Sequence, residues 1–144
     1  MLSRVSNILH PIRMVCIFAL CCVLSACHWQ EARQVIAVAD SLDQAEHVIY
    51  DDTAALSKAI RCMDNPFGRV LMSNTLGKAY YYMGRNYSLS NQIAEAAECY
   101  IEADWLKIDE PLYRGRVNSC MAGICASWTR ASERIFRAKQ QKVI

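Results

Sequence analysis

Proline and glycine are scarce in this 144-residue chain, and their scarcity limits the fold classes it can adopt. The chain contains three prolines and five glycines, and Pro66 and Pro111 are the only prolines after residue 27. Strand signals are also missing, because neither strict apolar–polar alternation nor an Asn-Gly turn occurs. Helical spacing recurs instead, as at Val35, Ala39 and Leu42, which stand at i, i+4 and i+7. The sequence therefore predicts an all-α protein.

Long hydrophobic runs are absent apart from one near the N-terminus. Residues 14–24, MVCIFALCCVL, are eleven consecutive apolar residues, preceded by Arg4 and Arg13, and no acidic residue occurs before Glu31. A bilayer-spanning helix needs about 20 apolar residues, so this run is too short, and its length and basic flank are typical of a secretory signal. A buried helix of a cytosolic protein and an uncleaved anchor helix are the alternatives.

The apolar run ends in LSAC at residues 24–27, which resembles the lipobox of bacterial lipoproteins. The resemblance implies a signal peptide over 1–26, cleavage before Cys27, and a lipid on the Cys27 thiol that attaches the mature chain, 27–144, to a membrane. Two or more acyl chains give stable attachment, whereas one is marginal. His28 follows, and not the Asp that retains proteobacterial lipoproteins at the inner membrane, so the resemblance implies the outer membrane. Ordinary cleavage nearby and a coincidental match to the motif are the alternatives.

Excess charge of either sign is missing from the part of the chain after the signal. Of 16 basic residues, Arg4 and Arg13 lie in the signal, and the remaining 14 equal the 14 acidic residues. Nucleic-acid binding requires a basic stripe, so we expect no nucleic-acid partner. No glycine-rich phosphate loop or Gly-x-Ser-x-Gly motif occurs, and His47 is the only histidine in the predicted helical body. We therefore expect no enzyme, no catalytic residues and no cofactor.

Metal-binding cysteine motifs are absent too, although the chain has eight cysteines. Three lie in the apolar run, Cys27 would carry lipid, and the other four form no CxxC pair, so we expect no metal site. Free thiols in the core are the favoured interpretation, while a disulfide and a thiol-dependent periplasmic enzyme remain open. These four residues are Cys62, Cys99, Cys120 and Cys125.

Prolines and cap residues divide the body into five or six predicted helices joined by short turns. Asp52 is predicted to cap a helix that ends before Pro66, and Ser90 or Asn91 to cap a later one. Further helices are predicted over about residues 69–88, 91–107, 113–127 and 129–141. The acidic pairs are interpreted as helix caps or dipole partners: these are Asp40 with Asp43 and Asp51 with Asp52.

Residues 80–87, YYYMGRNY, place four tyrosines on one predicted helix. Tyr80, Gly84 and Tyr87 share a face with Met83, at i, i+3, i+4 and i+7. On the next helix Ala96, Tyr100 and Ala103 share a face. Large rings thus alternate with small residues where two helices must approach each other. We expect Tyr80 and Tyr87 in the core, and Tyr81 and Tyr82 outside it.

The order and spacing of these residues resemble the signature of the tetratricopeptide repeat. The resemblance covers about residues 50–140 and is clearest over 77–111. The sequence around Tyr80–Ile124 is also similar to short repeat proteins of Bacteroidota. It implies an all-α domain over 27–144, in which antiparallel helix hairpins stack as a short right-handed solenoid. Two partial repeats flank the clear one. The preceding one has Ala55, Ala59, Cys62 and Pro66; the following one has Met121, Ala122, Cys125, Ala131, Ile135 and Ala138.

The family lines a concave groove with the first helix of each repeat. The resemblance places Lys78, Tyr81, Arg85 and Arg116 in that groove, where cations would form charge-assisted hydrogen bonds with an extended peptide or an acidic chain end. A solvated polar face without a ligand is the alternative. The chain is thus interpreted as a lipid-anchored scaffold that binds a protein or peptide in the cell envelope. The other interpretation is the sensory N-terminal part of a truncated repeat-containing signalling protein.

Overall fold

The computed structural model describes residues 14–16, 28–45 and 48–141, and the regular structure in these residues is entirely helical. The prediction of an all-α protein is confirmed. Most of the predicted signal and Cys27 lie outside the described residues, and no described helix is long and apolar enough to cross a membrane. Residues 14–16 are helical, and the helices that follow in the described part of the chain are α1 (28–45), α2 (Thr53–Met63), α3 (Pro66–Leu71), α4 (Ser73–Leu89), α5 (Ile93–Trp105) and α6 (Pro111–Gln141).

Helix α2 begins where the sequence predicts, and the helix that follows is interrupted. The Asp52 carboxylate accepts a hydrogen bond of 2.8 Å from the Ala55 amide, which confirms the predicted N-cap. The single helix predicted over 69–88 is wrong, because the backbone at Met72 leaves helical geometry (φ −121°, ψ 18°) and separates α3 from α4. Asn65 caps α3, and Pro66 occupies its first turn.

Helix α6 is continuous, so the predicted break between 127 and 129 is wrong. The hydroxyls of Ser127 and Thr129 donate to the carbonyls of Gly123 and Cys125, four residues back, at 2.9 and 3.0 Å. These polar side chains are thereby accommodated within the helix and do not end it. The following partial repeat consequently has no hairpin turn at this position.

Helices α1, α4 and α6 run parallel to one another. Asp40 of α1 contacts Tyr82 of α4, and about one turn further along both helices Asp43 contacts Arg85. Contacts that advance together along two helices require a parallel arrangement. The same two aspartates contact α6 in the same order, at Tyr113 and Arg116.

Helices α4 and α5 form a closely packed antiparallel hairpin. Tyr100 of α5 contacts Gly84 and Ser88 of α4, while Gly77 near the start of α4 lies against Ile108, just after α5. A Cβ atom on Gly84 would lie 2.8 Å from Cε1 of Tyr100, closer than side chains tolerate. The predicted close approach at Gly84 is therefore confirmed. The turn uses Asn91 at φ 59°, and the N-cap is Gln92, not Ser90 or Asn91.

The tyrosines of α4 are buried on a different face from the one predicted. Tyr81 and Tyr82 are buried, at 3% and 0% exposure, whereas Tyr80 and Tyr87 are only partly buried against the core. The prediction for Tyr81 and Tyr82 was wrong because α1 and α6 cover the face of α4 that carries them. The largest fully buried side chains are Tyr82, Tyr100, Tyr113, Leu56, Met63, Leu76, Ile108 and Val117.

Candidate functional site

The carboxylate of Asp40 connects three helices. It accepts hydrogen bonds of 2.8 Å from the Lys78 ammonium and from the hydroxyls of Tyr82 and Tyr113. The two hydroxyls are 2.9 Å apart, and Lys78 also contacts Glu110 at 2.5 Å. Lys78 and Asp40 are mostly buried, with side chains 9% and 21% exposed. This network satisfies the polar groups that the packing of α1 against α4 and α6 removes from water.

Asp43, one turn further along α1, lies between two arginines. One carboxylate oxygen accepts a 2.5 Å hydrogen bond from Arg85 of α4, and the other accepts one from Arg116 of α6. The Asp43 side chain is only 4% exposed, but the two arginine side chains are 22% and 30% exposed. A buried carboxylate is thus enclosed by two cations whose outer surfaces reach solvent.

Aromatic rings fill the space between these ion pairs. The Tyr81 ring lies edge-on to Tyr82 and Tyr113, with centroids 5.2 and 5.6 Å away. Arg85 lies over the Tyr81 ring at 5.7 Å, and Lys78 lies over the Tyr113 ring at 4.5 Å. Edge-to-face rings and cation–π contacts both stabilise such a cluster. Arg116 lies over the Tyr113 ring at 5.6 Å, so the ring cluster packs against both arginines.

The ion pairs shift the pKa values of the charged groups. Burial alone would raise the pKa of Asp43, but hydrogen bonds from Arg85 and Arg116 outweigh it and hold this pKa below its ordinary value of 3.8. Burial alone would lower the pKa of Lys78, but hydrogen bonds to Asp40 and Glu110 raise it above 10.5. Asp43 and Lys78 therefore remain charged at neutral pH.

An open cleft of about 660 Å³ lies above Asp43, between α4 and α6. We call it the arginine cleft. The guanidinium groups of Arg85 and Arg116 lie on it, and apolar and small polar side chains complete its walls. Its lining comprises Asp43, Tyr81, Arg85, Pro111, Leu112, Gly115, Arg116, Ser119 and Cys120. The arrangement offers cationic hydrogen-bond donors beside an apolar wall, which suits a carboxylate attached to an apolar group.

The structure brings the four predicted groove residues together, but in different roles. Arg85 and Arg116 border the arginine cleft, as a binding role requires. Tyr81 supports them from the core, and the prediction that it offers an exposed ring is wrong. Lys78 is engaged by Asp40 and Glu110 and does not line the cleft.

Asp40 and Asp43 are the members of the site that the sequence interpretation missed. Their assignment as caps or helix-start dipole partners was wrong, because both lie in the C-terminal part of α1 and bond to other helices. One signal could have revealed Asp43. It continues the buried stripe of Ala32, Ile36 and Ala39 at helical spacing, and an acid on an apolar stripe requires a cationic partner.

The four cysteines of the helical body differ in their burial. Cys62, Cys99, Cys120 and Cys125 are free thiols, and Cys125 is exposed, contrary to the predicted core position. Burial raises the pKa of Cys99 to about 11 and also raises that of Cys62, so neither forms a ready thiolate at neutral pH. Among the described residues no group of three or more His, Cys, Asp and Glu could hold a metal ion.

Comparison with known proteins gives no relative from which the role of the cleft could be transferred. No family model, no curated protein and no solved structure matches this chain. The function must therefore be argued from the geometry of the cleft itself.

Proposed function

We propose that the chain is a lipid-anchored helical-repeat scaffold that binds a protein or peptide carboxylate in the arginine cleft. The observation that carries the proposal is the convergence of Arg85 and Arg116 on one cleft from two parallel helices. The antiparallel α4–α5 hairpin, with Gly84 against Tyr100, supports the resemblance to a tetratricopeptide repeat. Parallel packing of α1, α4 and α6 is the arrangement that stacked hairpins require.

The local charge of the arginine cleft favours an anionic ligand. Two guanidinium groups meet the single carboxylate of Asp43, so the cleft keeps one positive charge in excess. Each guanidinium carries five N–H donors, and only part of each group is occupied by Asp43. A peptide carboxylate can thus accept hydrogen bonds from the outer edges of Arg85 and Arg116, while an adjacent apolar side chain contacts Leu112.

The location that we propose depends on the N-terminal sequence. The basic flank, the apolar run 14–24 and the LSAC motif ending at Cys27 support export and lipid attachment. A lipid on Cys27 would attach the helical body to the outer membrane through the residue immediately before α1. The scaffold would then present the arginine cleft to proteins of the cell envelope.

The binding proposal can be tested with the full chain on arrays of short peptides attached through their N-termini. One array carries free C-terminal carboxylates, and a matched array carries the same sequences as C-terminal amides. We expect binding to the carboxylate array and little binding to the amides. Arg116→Glu should abolish this binding because it places a second acid beside Asp43 and reverses the charge of the cleft.

Arg114→Glu provides the control on the same helix. Arg114 is exposed, donates to the carbonyl of Asp109 and does not line the arginine cleft. This variant makes the same change of net charge as Arg116→Glu and should bind like the wild type. Equal binding to both arrays, or equal loss in the two variants, would contradict a carboxylate site at Arg116.

A further inference from the structure

The short helix α3 turns its large apolar side chains towards solvent. Phe67, Val70 and Leu71 are 75%, 77% and 66% exposed. The buried side of the helix is Gly68, where a Cβ atom would lie 1.9 Å from the Met63 carbonyl oxygen. The backbone of α3 therefore packs directly on the end of α2, and this packing leaves the apolar side chains on the outside.

A fourth exposed apolar side chain lies on α5, the helix that Arg69 of α3 contacts. Arg69 forms an ion pair of 3.1 Å with Glu102 of α5, and Trp105 stands three residues beyond Glu102, on the same side of that helix. Trp105 is 77% exposed. We call these four residues the apolar end patch: Phe67, Val70, Leu71 and Trp105. Single exposed apolar residues are ordinary, but a group of four large ones marks an interaction surface.

The apolar end patch lies at the end of the molecule where the chain enters α1. The indole of Trp29 and the amide of Asn65 both donate to the Cys62 carbonyl, at 3.3 and 3.1 Å. Asn65 is the N-cap of α3, so the start of α1 and the start of α3 meet at one backbone oxygen. The apolar run 14–24 and Cys27 precede this point directly in the sequence.

The positive charge beside the patch is paired internally, because one arginine meets two carboxylates. Arg69, the only charged residue of α3, contacts Asp64 at 2.5 Å and Glu102 at 3.1 Å. Its charge is therefore already compensated when α3 approaches an apolar phase. Anionic lipid headgroups have no unpaired cation to contact on α3, so the contact would depend on apolar side chains and not on lipid charge.

We infer that the apolar end patch lies in the interfacial region of a lipid bilayer and orients the helical body on it. This inference extends the proposed lipid anchorage, since an anchor at Cys27 holds the patch beside the membrane. Aromatic and aliphatic side chains on one face of a helix enter the headgroup region by about 5–10 Å, and Trp favours that region. The long axis of α4 would then point away from the membrane.

The test uses the full chain reconstituted in phosphatidylcholine vesicles, with and without brominated acyl chains that quench tryptophan. The chain has three tryptophans. One variant, Trp29→Phe with Trp128→Phe, keeps only Trp105, and a second, Trp29→Phe with Trp105→Phe, keeps only Trp128. Trp128 is also exposed, but it lies 17 residues into α6, about 26 Å from the patch end at 1.5 Å per residue.

We expect brominated lipid to quench Trp105 and to leave Trp128 unquenched. Adding Phe67→Ser and Val70→Ser to the Trp105 variant should reduce the quenching, whereas Leu89→Ser should not. Leu89 is 67% exposed at the opposite end of α4, which makes it the matched control. Substituting neutral by anionic lipid should not increase the quenching, because Arg69, the only charged residue of α3, is already paired with Asp64 and Glu102.

Equal quenching of both tryptophans, or no quenching of either, would overturn the inference. No quenching together with dimers in analytical ultracentrifugation would assign the patch to a second copy of the chain. Because the readout does not involve the arginine cleft, it stands or fails independently of peptide binding. The quenching experiment is repeated with Cys27→Ser to separate insertion of the patch from lipid attachment. The apolar run 14–24 still associates this variant with the vesicles.

Discussion

Gly84 sets the distance between α4 and α5. The Tyr100 ring lies where a Cβ atom would stand, 2.8 Å from Cε1, and this ring is 1% exposed and cannot swing into solvent. We expect Gly84→Ala to lower the free energy of unfolding by about 1–3 kcal/mol, the usual effect of overpacking a core. Urea unfolding of the purified protein measures the change.

Gly115 of α6 supplies the control for this substitution. Nothing lies within 4 Å of the position that its Cβ atom would take. Gly115→Ala should therefore raise the free energy of unfolding by about 0.5–1 kcal/mol, because alanine loses less conformational entropy in a helix. If both substitutions changed stability in the same direction, the packing assigned to Gly84 would be wrong.

Asp43 makes the stability of the fold dependent on pH in acid. Its pKa in the folded state lies below the ordinary value of 3.8 because of Arg85 and Arg116. The ion pairs therefore contribute fully above pH 3.8, and the contribution is lost as the pH falls through the folded-state pKa. We expect the difference in unfolding free energy between wild type and Asp43→Asn to be largest at neutral pH and to shrink below pH 3.8. A constant difference would contradict this.

The tyrosines of α4 show why the sequence pattern alone could not predict which face of this helix is buried. Tyr80 and Tyr81 are neighbours separated by a rotation of about 100° on the helix, and both stripes contain small and aromatic residues. Which stripe is buried depends on α1, whose Asp40 and Asp43 attract Lys78, Tyr82 and Arg85. Local spacing in α4 holds no information about a partner more than 35 residues away in the chain.

At the level of elements, α6 divides into a packed part and a projecting part. Tyr113, Val117 and Ile124 are buried, whereas every side chain described from Cys125 onward is exposed. The later part has helical propensity and hydroxyl-to-carbonyl bonds, but no described side chain of this part is buried. Most helical stability in proteins comes from tertiary packing. The packed part of α6 should therefore contribute more to the free energy of unfolding than the projecting part.

Proline substitution tests this division of α6. Ser119→Pro should lower the free energy of unfolding by about 3 kcal/mol or more, because it breaks the helix between buried Val117 and Ile124. Arg130→Pro should leave the thermal unfolding temperature nearly unchanged. The side chains at both sites are exposed, so the comparison measures the effect of breaking the helix backbone and not the loss of buried side-chain contacts. Equal destabilisation by both substitutions would show that the later part packs on the body.

Helix boundaries were predictable where a local interaction defines them. Asp52 caps α2 through its own side chain, and the turns at 90–92 and before Pro111 follow from local residue chemistry. The break at Met72 was not predictable, because Met72 is buried in the core and packing, not a proline or glycine, ends α3 there.

At the level of the whole molecule, lipid anchorage is a prediction that rests on the sequence alone. Cys27 lies outside the described residues, so the lipid prediction needs a chemical experiment. We expect a metabolically supplied alkyne fatty acid to label the wild type, and Cys27→Ser to lose the label. Cys22→Ser, a nearby cysteine inside the apolar run, should keep it. Label retained in Cys27→Ser would contradict lipid attachment at this position.

The bridge from Asp43 to Arg85 and Arg116 has one further consequence. A ligand carboxylate that took both guanidinium groups for itself would displace Asp43. The C-terminal part of α1 would then be joined to α4 and α6 by the polar contacts of Asp40 and would lose those of Asp43. The other end of the same helix directly follows Cys27. If Cys27 carries the proposed lipid, filling the cleft would loosen the helix that links this lipid to the body, and the mobility of the body relative to the membrane would depend on whether the cleft is occupied.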